Sequence, residues 1–250
     1  MNLSTIQGLT IPEGVVVKIA KDGEVLWQKQ SGGLPSEYQQ VEYITTDGYQ
    51  WIDTGVNAAD YQDGIYCDMD FMITKQNGFG SAYMYFYGMG CSNRHNAGSF
   101  GFSNYAGNCR YCCGQGMNAL YIWNSSFLNK RMAIKMLCNS TDPDASRESL
   151  QVYDRNNPET TIRFHAQYNS QPCPMPDANL YMLNCNGNEA NIGPTGRLYT
   201  FTMADANGNL IRDFIPCYRK TDGVIGAFDM VTKQFFTNSG TGAFTKGADI

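Results

Sequence analysis

Three small clusters in this 250-residue chain carry side chains that could do chemistry. Asp68 and Asp70 stand two apart in IYCDMDFMI. At the period of a β-strand both fall on one face. Paired carboxyls are the machinery of glycoside hydrolysis, a retaining pair standing about 5–5.5 Å apart across the sugar. Cys109, Cys112 and Cys113 form a CxxCC run, with Cys91 upstream and His95 as a further nitrogen donor. Four such ligands could hold zinc. Cys217 lies in DFIPCYRKTDG, two residues before Arg219 and Lys220. A thiol beside positive charge can have a lowered pKa and become a nucleophile.

Each cluster also has a plainer reading. Phe71, Met72 and Ile73 follow Asp70, so no third carboxylate completes a hydrolase strand. The pair then forms a solvent-facing stripe opposite a core face of Cys67, Met69 and Phe71. Structural zinc sites usually show two CxxC-like pairs, and here there is one. The cysteines are then small packing side chains in a Gly-rich loop, and neither metal nor cofactor is expected. His95 and His165 are the only histidines, and neither sits in a G-x-S-x-G context. In DFIPCYRK, Ile215 and Cys217 share a strand face, which makes the thiol a packing group. Pro216 lacks an N–H and favours an edge position or a bulge. No catalytic residue is assigned.

Residues 78–127 suggest binding instead. Tyr, Asn, Ser, Gly and Cys dominate them. Rigid aromatics with small polar residues make adaptable recognition surfaces, and aromatic faces beside amides suit sugars. Strict alternation puts Tyr83, Tyr85 and Tyr87 on one face. With Tyr105, Tyr111 and Trp123 they form the candidate ligand-binding set. The alternative is that these are ordinary sandwich or intersubunit residues.

The elements that must position these groups are strands. Charged residues are 16%, aromatics 13%, and there are 26 glycines. Short alternating segments recur between turn signals such as Asp47-Gly48, Asn207-Gly208 and Asp222-Gly223, which predicts an all-β, two-sheet sandwich. The net charge of −5 and the lack of a basic run argue against nucleic acid. No run of about 18 apolar residues predicts a membrane span. The opening MNLSTIQGLTIPEG lacks a signal-peptide pattern, so the nine cysteines are expected as mostly free thiols. Residues 1–30 read as a separate β-hairpin turning at Asp22-Gly23, with Val15, Val17, Ile19, Leu26 and Trp27 as its docking residues. A lone hairpin is marginal in water and needs a partner. Residues 31–36 read as a linker and 37–250 as the main domain.

Two segments of that domain resemble a known family. LPSEYQQVEYITTDGYQWIDTG, Leu34–Gly55, is similar to the opening of concanavalin A-like (LamG-type) jelly-roll domains of tailed phages and prophages of gut bacteria. GRLYTFTMADANGNLIRDFIPCYRKTDGVIGAFDMVTKQFFTNSGTGAFTKG, Gly196–Gly247, resembles the closing part of the same family. TIPEGVVVKIAKDGEVLWQK resembles short attachment modules of phage tail and appendage proteins. The resemblance implies a jelly-roll sandwich on a virion assembled in the bacterial cytoplasm. Residues 1–30 would hold it to other virion proteins, and a homotrimer would display a face that binds host-surface glycan. It transfers no catalytic residue. A glycan-cleaving hydrolase on the same fold and a purely architectural decoration protein are the alternatives.

Overall fold

The structure is a computed structural model. It describes the backbone of residues 18–21, 24–28, 33–75, 84–89, 100–105, 108–112, 128–138, 148–165, 177–184, 186 and 193–250. Side chains are described for 33–75, 128–135, 152–157, 177–184, 186 and 193–250. The chain divides into two compact units, Met1–Ser36 and Glu37–Ile250.

In the first unit, β1 (Lys18–Lys21) pairs antiparallel with β2 (Glu24–Gln28). Ile19 stands opposite Trp27, and the ladder is irregular between Ile19 and Ala20. Of the expected docking residues, Ile19, Leu26 and Trp27 lie on these strands, while Val15 and Val17 fall outside the described residues.

The second unit is built from β3 (Tyr38–Gln40), β4 (Ile44–Asp47), β5 (Ile52–Asn57), β6 (Ile65–Lys75), β7 (Met84–Met89), β8 (Phe100–Tyr105), β9 (Asn108–Cys112), β10 (Arg131–Cys138), β11 (Glu148–Asp154), β12 (Asn157–His165), β13 (Asn179–Met182), β14 (Thr195–Asp205), β15 (Leu210–Arg219), β16 (Ile225–Asp229), β17 (Gln234–Thr237) and β18 (Thr245–Lys246). One turn of 3-10 helix, Ala58–Tyr61, is capped by the Asn57 side chain accepting from the Ala59 N–H. The larger sheet runs β12-β11-β10-β6-β14-β15-β16-β17, with β4 beside β14 and β18, and β3 beside β15. The smaller sheet runs β5-β13-β7-β8-β9. Every described pairing is antiparallel. The protein is an all-β sandwich.

Period-2 patterning explains which faces meet. On β6, Ile65, Cys67, Met69, Phe71 and Ile73 are buried, as the alternation of IYCDMDFMI requires. Leu198, Phe201 and Met203 of β14 join them from the larger sheet. The smaller sheet contributes Ile52 and Val56 from β5 and Leu180 and Met182 from β13 to the same apolar cluster. Gly196 is required where β14 crosses Phe71: a Cβ there would lie 2.1 Å from the Met72 carbonyl oxygen and 2.6 Å from the Phe71 ring.

Two local features depart from the sequence reading. Register slips by one residue on β14 between Leu198 and Thr200, a β-bulge. Leu198 and Phe201 are both buried in consequence, and Tyr199 joins the opposite face of the sheet. Pro216 does not lie on an edge strand: β15 pairs with β16 along one side. On its other side, β15 changes neighbour from β14 to β3. The Pro216 carbonyl accepts from the Val41 N–H on that side. A strand residue's N–H and C=O point the same way, so the missing donor falls at the changeover.

The two ends of this unit meet. Gln39 donates from Nε2 to the Ile250 carbonyl at 2.9 Å, and the Ile250 N–H donates to the Gln40 carbonyl at 3.1 Å. Val41 and Asp249 form an antiparallel bridge.

Candidate functional site

The Asp68–Asp70 pair takes the strand face expected of it, but it is not a solvent-facing stripe. Asp70 is only 3% exposed. Arg131 reaches across from β10 and donates from Nε to both Asp70 oxygens at 2.9 and 3.0 Å, with a second nitrogen at 2.8 Å. Arg155 adds its Nε at 3.3 Å. The bulged Tyr199 supports Arg131, whose guanidinium stands 4.0 Å from that ring. Tyr199 packs edge-on against Tyr43, and Arg197 covers Tyr43 at 4.6 Å. The Asp70 hydrogen bond, the largest influence, raises the pKa of Arg131. Lys135 stands 3.3 Å from Asp68. Both Asp70 oxygens are thus engaged by guanidinium nitrogens rather than presented to a substrate. This is an ion-pair lattice on the outer face of the larger sheet.

Cys217 is buried at 0% exposure, and desolvation pushes its thiol up to about 12. The neighbouring cations do not reach it. Arg219 turns away to Asp222, with nitrogen–oxygen distances of 2.6–3.2 Å. Cys217 should therefore resist thiol reagents in the folded protein and react only after denaturation. Its thiol has a folded-state pKa above the unfolded value of about 9. The stability this implies is complete below pH 9 and is lost as pH rises toward 12, with a slope approaching about 1.4 kcal/mol per pH unit. Urea unfolding of the wild type against Cys217→Ala across pH 8–11 measures this. Parallel curves would refute it.

The outer face of the smaller sheet holds a different arrangement. Because Ile52, Thr54 and Val56 point into the core, Trp51, Asp53 and Asn57 point outward. On β13, Leu180 and Met182 point in, and Asn179 and Tyr181 point out. Tyr181 pairs with Asp53 across the ladder, and its ring stacks on Trp51 at 4.1 Å and 23°. Asn179 donates its side-chain amide to both Asp53 oxygens at 3.1 and 3.2 Å, and the Gly55 N–H donates to Oδ1 at 2.9 Å. Asn57 bonds Asp177 at 2.6 Å. Burial, then the Asp53 charge, raises the pKa of Tyr181, so its hydroxyl keeps its proton.

This arrangement is held from behind. The Asn238 carbonyl Oδ1 accepts from the N–H groups of Trp51 and Gly240. A Cβ on Gly240 would lie 2.6 Å from the indole, so only glycine lets that loop close on Trp51. Gln50, also buried, accepts from Thr46 Oγ1 and the Asp47 N–H and donates to the Thr241 carbonyl.

Of the expected binding residues, Tyr83 and Trp123 lie outside the described residues. Tyr85 and Tyr87 are on β7, Tyr105 on β8 and Tyr111 on β9, all strands of the smaller sheet. Tyr87 is the register partner of Met182 and Gly88 that of Tyr181. Between Tyr85 and Gly88 the β7–β8 ladder gains a residue. Cys109 and Cys112 lie on the short β9, while Cys91, His95 and Cys113 fall outside the described residues. Among the described residues, no helix is long and apolar enough to cross a membrane.

The sequence reading missed Trp51, Asp53, Asn179 and Tyr181 as a group. Alternation within QWIDTG and ANLYM marks each outward pair. Joining them takes the β5–β13 pairing, across about half the chain. No protein-family profile matches this chain, and no curated protein matches it.

Proposed function

We propose that this protein is a non-enzymatic structural component of a phage virion, a tail, fibre or head appendage, that displays a lectin-like sandwich to host-surface glycan. The virion setting rests on the resemblance of Leu34–Gly55 and Gly196–Gly247 to phage jelly-roll domains. The observation that carries the recognition reading is the outward Trp51–Tyr181 stack with Asp53 and Asn179 beside it. Stacked rings offer a rigid apolar face at little entropic cost, and the carboxylate and amide supply directional hydrogen bonds. The engagement of Asp70 by Arg131 and Arg155 speaks for binding over hydrolysis. Residues 1–30 would dock on a neighbouring virion protein, and a homotrimer would turn weak sugar contacts into firm attachment.

The test is the full chain on a printed glycan array, with mass spectrometry of the bound glycans after incubation. Binding without release of shorter products is expected. Absence of binding to every glycan would defeat the recognition reading, and shortened products would replace it with hydrolysis. An antibody against the chain should decorate particles from a lysate of the source strain, and bare particles would remove the virion assignment.

A further inference from the structure

We propose that a carboxylate-bearing glycan docks on the outer face of the larger sheet, with its carboxylates on Arg197 and Arg131 and a sugar ring over Met72 between them. This adds an acidic ligand class and a second face to the recognition reading above, and it rests on that reading. The register lays out the row. Met72 on β6 is the partner of Arg197 on β14 and of Arg131 on β10. Phe71, Ile73, Leu198 and Met132 beside them are buried, so these three side chains point outward. Two strand spacings put the arginine backbones about 10 Å apart. The half-buried Met72 thioether lies between them as an apolar floor.

Both guanidiniums are braced on rings. Arg197 stands 4.6 Å from the Tyr43 ring and Arg131 4.0 Å from the Tyr199 ring. The two rings meet edge-on at 5.4 Å. Bracing orders the side chains before a ligand arrives, so less freedom is lost on binding. Arg131 commits Nε and one terminal nitrogen to Asp70. A guanidinium carries five N–H donors, so further donors are left for a ligand. Among the described residues, Arg197 makes its ring contact and neither a hydrogen bond nor an ion pair.

Burial sorts the charges of this face. The Asp70 and Asp154 side chains are 4 and 9% exposed, while those of Arg131, Arg155 and Lys130, which hold them, are 41, 37 and 45% exposed. A ligand therefore meets the cations first. Glu42 is exposed and its charge reaches Arg131, and Asp68 is paired with Lys135 at 3.3 Å. Salt screens charges beyond about 8 Å, so a docked ligand feels this face rather than the net charge of −5. The guanidinium fork matches a carboxylate, and Arg131 on Asp70 is an instance on the same face. An extended acidic peptide repeats its same-side carboxylates every 6.6 Å or about that, short of the spacing of the row. A glycan with a neutral ring between two acidic ones spans it and covers Met72.

The experiment compares the full-length wild type with Arg197→Ala, Arg197→Lys, Arg197→Glu and Lys220→Glu, each variant checked by thermal melting. The probes are carboxylated glycans, the same glycans with their carboxyls reduced to alcohols, and polyglutamate. Lys220 is exposed in the turn after β15, so its reversal controls for net charge. The wild type should prefer the carboxylated glycans to their reduced forms by about tenfold or more. Arg197→Glu should weaken that binding by about tenfold or more, and Arg197→Ala by less. Arg197→Lys should keep part of it, because an ammonium keeps the charge without the fork. Lys220→Glu should stay near wild type. Equal binding of carboxylated and reduced glycans overturns the ligand class and leaves the recognition reading standing. Carboxyl-dependent binding that Arg197→Glu leaves unchanged, or that Lys220→Glu weakens as much, overturns the seat. Polyglutamate bound as tightly as the carboxylated glycans overturns the sugar as occupant. Binding to no glycan overturns both readings together. Should Arg197→Glu not melt cooperatively, Arg197→Ala decides the matter.

Discussion

Replacing Asp229 with alanine destabilises the fold by about 3–5 kcal/mol, the range for removing one partner of a buried charged network. The carboxylate is 0% exposed at the end of β16. Its Oδ1 accepts from the N–H groups of Asp213 and Val231 at 2.8 and 3.1 Å. Its Oδ2 accepts from the Thr232 N–H and hydroxyl at 3.2 and 2.6 Å and lies 3.6 Å from Arg212. Alanine takes the acceptor from these part-buried donors, and a buried group left unsatisfied costs about 1–3 kcal/mol. Arg212 also donates to the Thr54 carbonyl at 2.9 Å. That bond ties β15 of the larger sheet to β5 of the smaller, next to Asp53. The loss should therefore reach the candidate site and weaken glycan binding as well as stability. Chemical denaturation measures the first effect and the array the second. Asp229→Asn, which keeps an acceptor, should cost less than alanine. A change below about 1 kcal/mol for alanine would show that water replaces the carboxylate.

Arg131→Ala costs about 3 kcal/mol, the low end of the same range. It strips the bidentate partner from Asp70, whose side chain is 4% exposed, and leaves Arg155 alone at 3.3 Å. It also removes the cation above Tyr199. Arg131→Lys should recover part of the loss, because an ammonium keeps the charge without the two-pronged geometry. The double variant Asp70→Asn with Arg131→Met leaves no buried charge, Arg155 being exposed to solvent, and should be more stable than Arg131→Ala. If the double variant is the worst of the series, the ion pair contributes more than its own desolvation penalty, and the account given for this face fails.

Much of the sandwich was legible because strands announce themselves by period. Ile65 to Ile73 alternates cleanly, and the paired turn at Asp222-Gly223 forms with Gly223 at φ 71°. Val41 stays outside β4, which begins at Ile44, and makes a single bridge to Asp249. β8 and β9 went unread, since a Gly-, Asn- and Cys-rich stretch carries little alternating apolar signal. The bulges at Tyr199 and near Tyr85 were invisible for a related reason: an extra residue is decided by both strands of a ladder, and one strand's pattern does not contain it. The same holds for the candidate site. QWIDTG looked like an identifying motif, and nothing within it says that Tyr181 will stack on its tryptophan. The tyrosine-rich segment drew attention by composition, and its described strands β7, β8 and β9 lie in the same sheet as β5 and β13.

The hydrogen bonds that join Gln39 and Gln40 to Ile250 have a use in protein engineering. They place entry to and exit from the Glu37–Ile250 unit within one ladder's reach. A linker of a few residues could close that gap and turn the unit into a ring, which could then be reopened at an exposed hairpin such as Asn207-Gly208. Such a circular permutant would keep every strand pairing of the unit while moving its free ends away from β3 and β18. It would also let the sandwich be spliced into a host protein's surface loop as a cassette, with both junctions side by side.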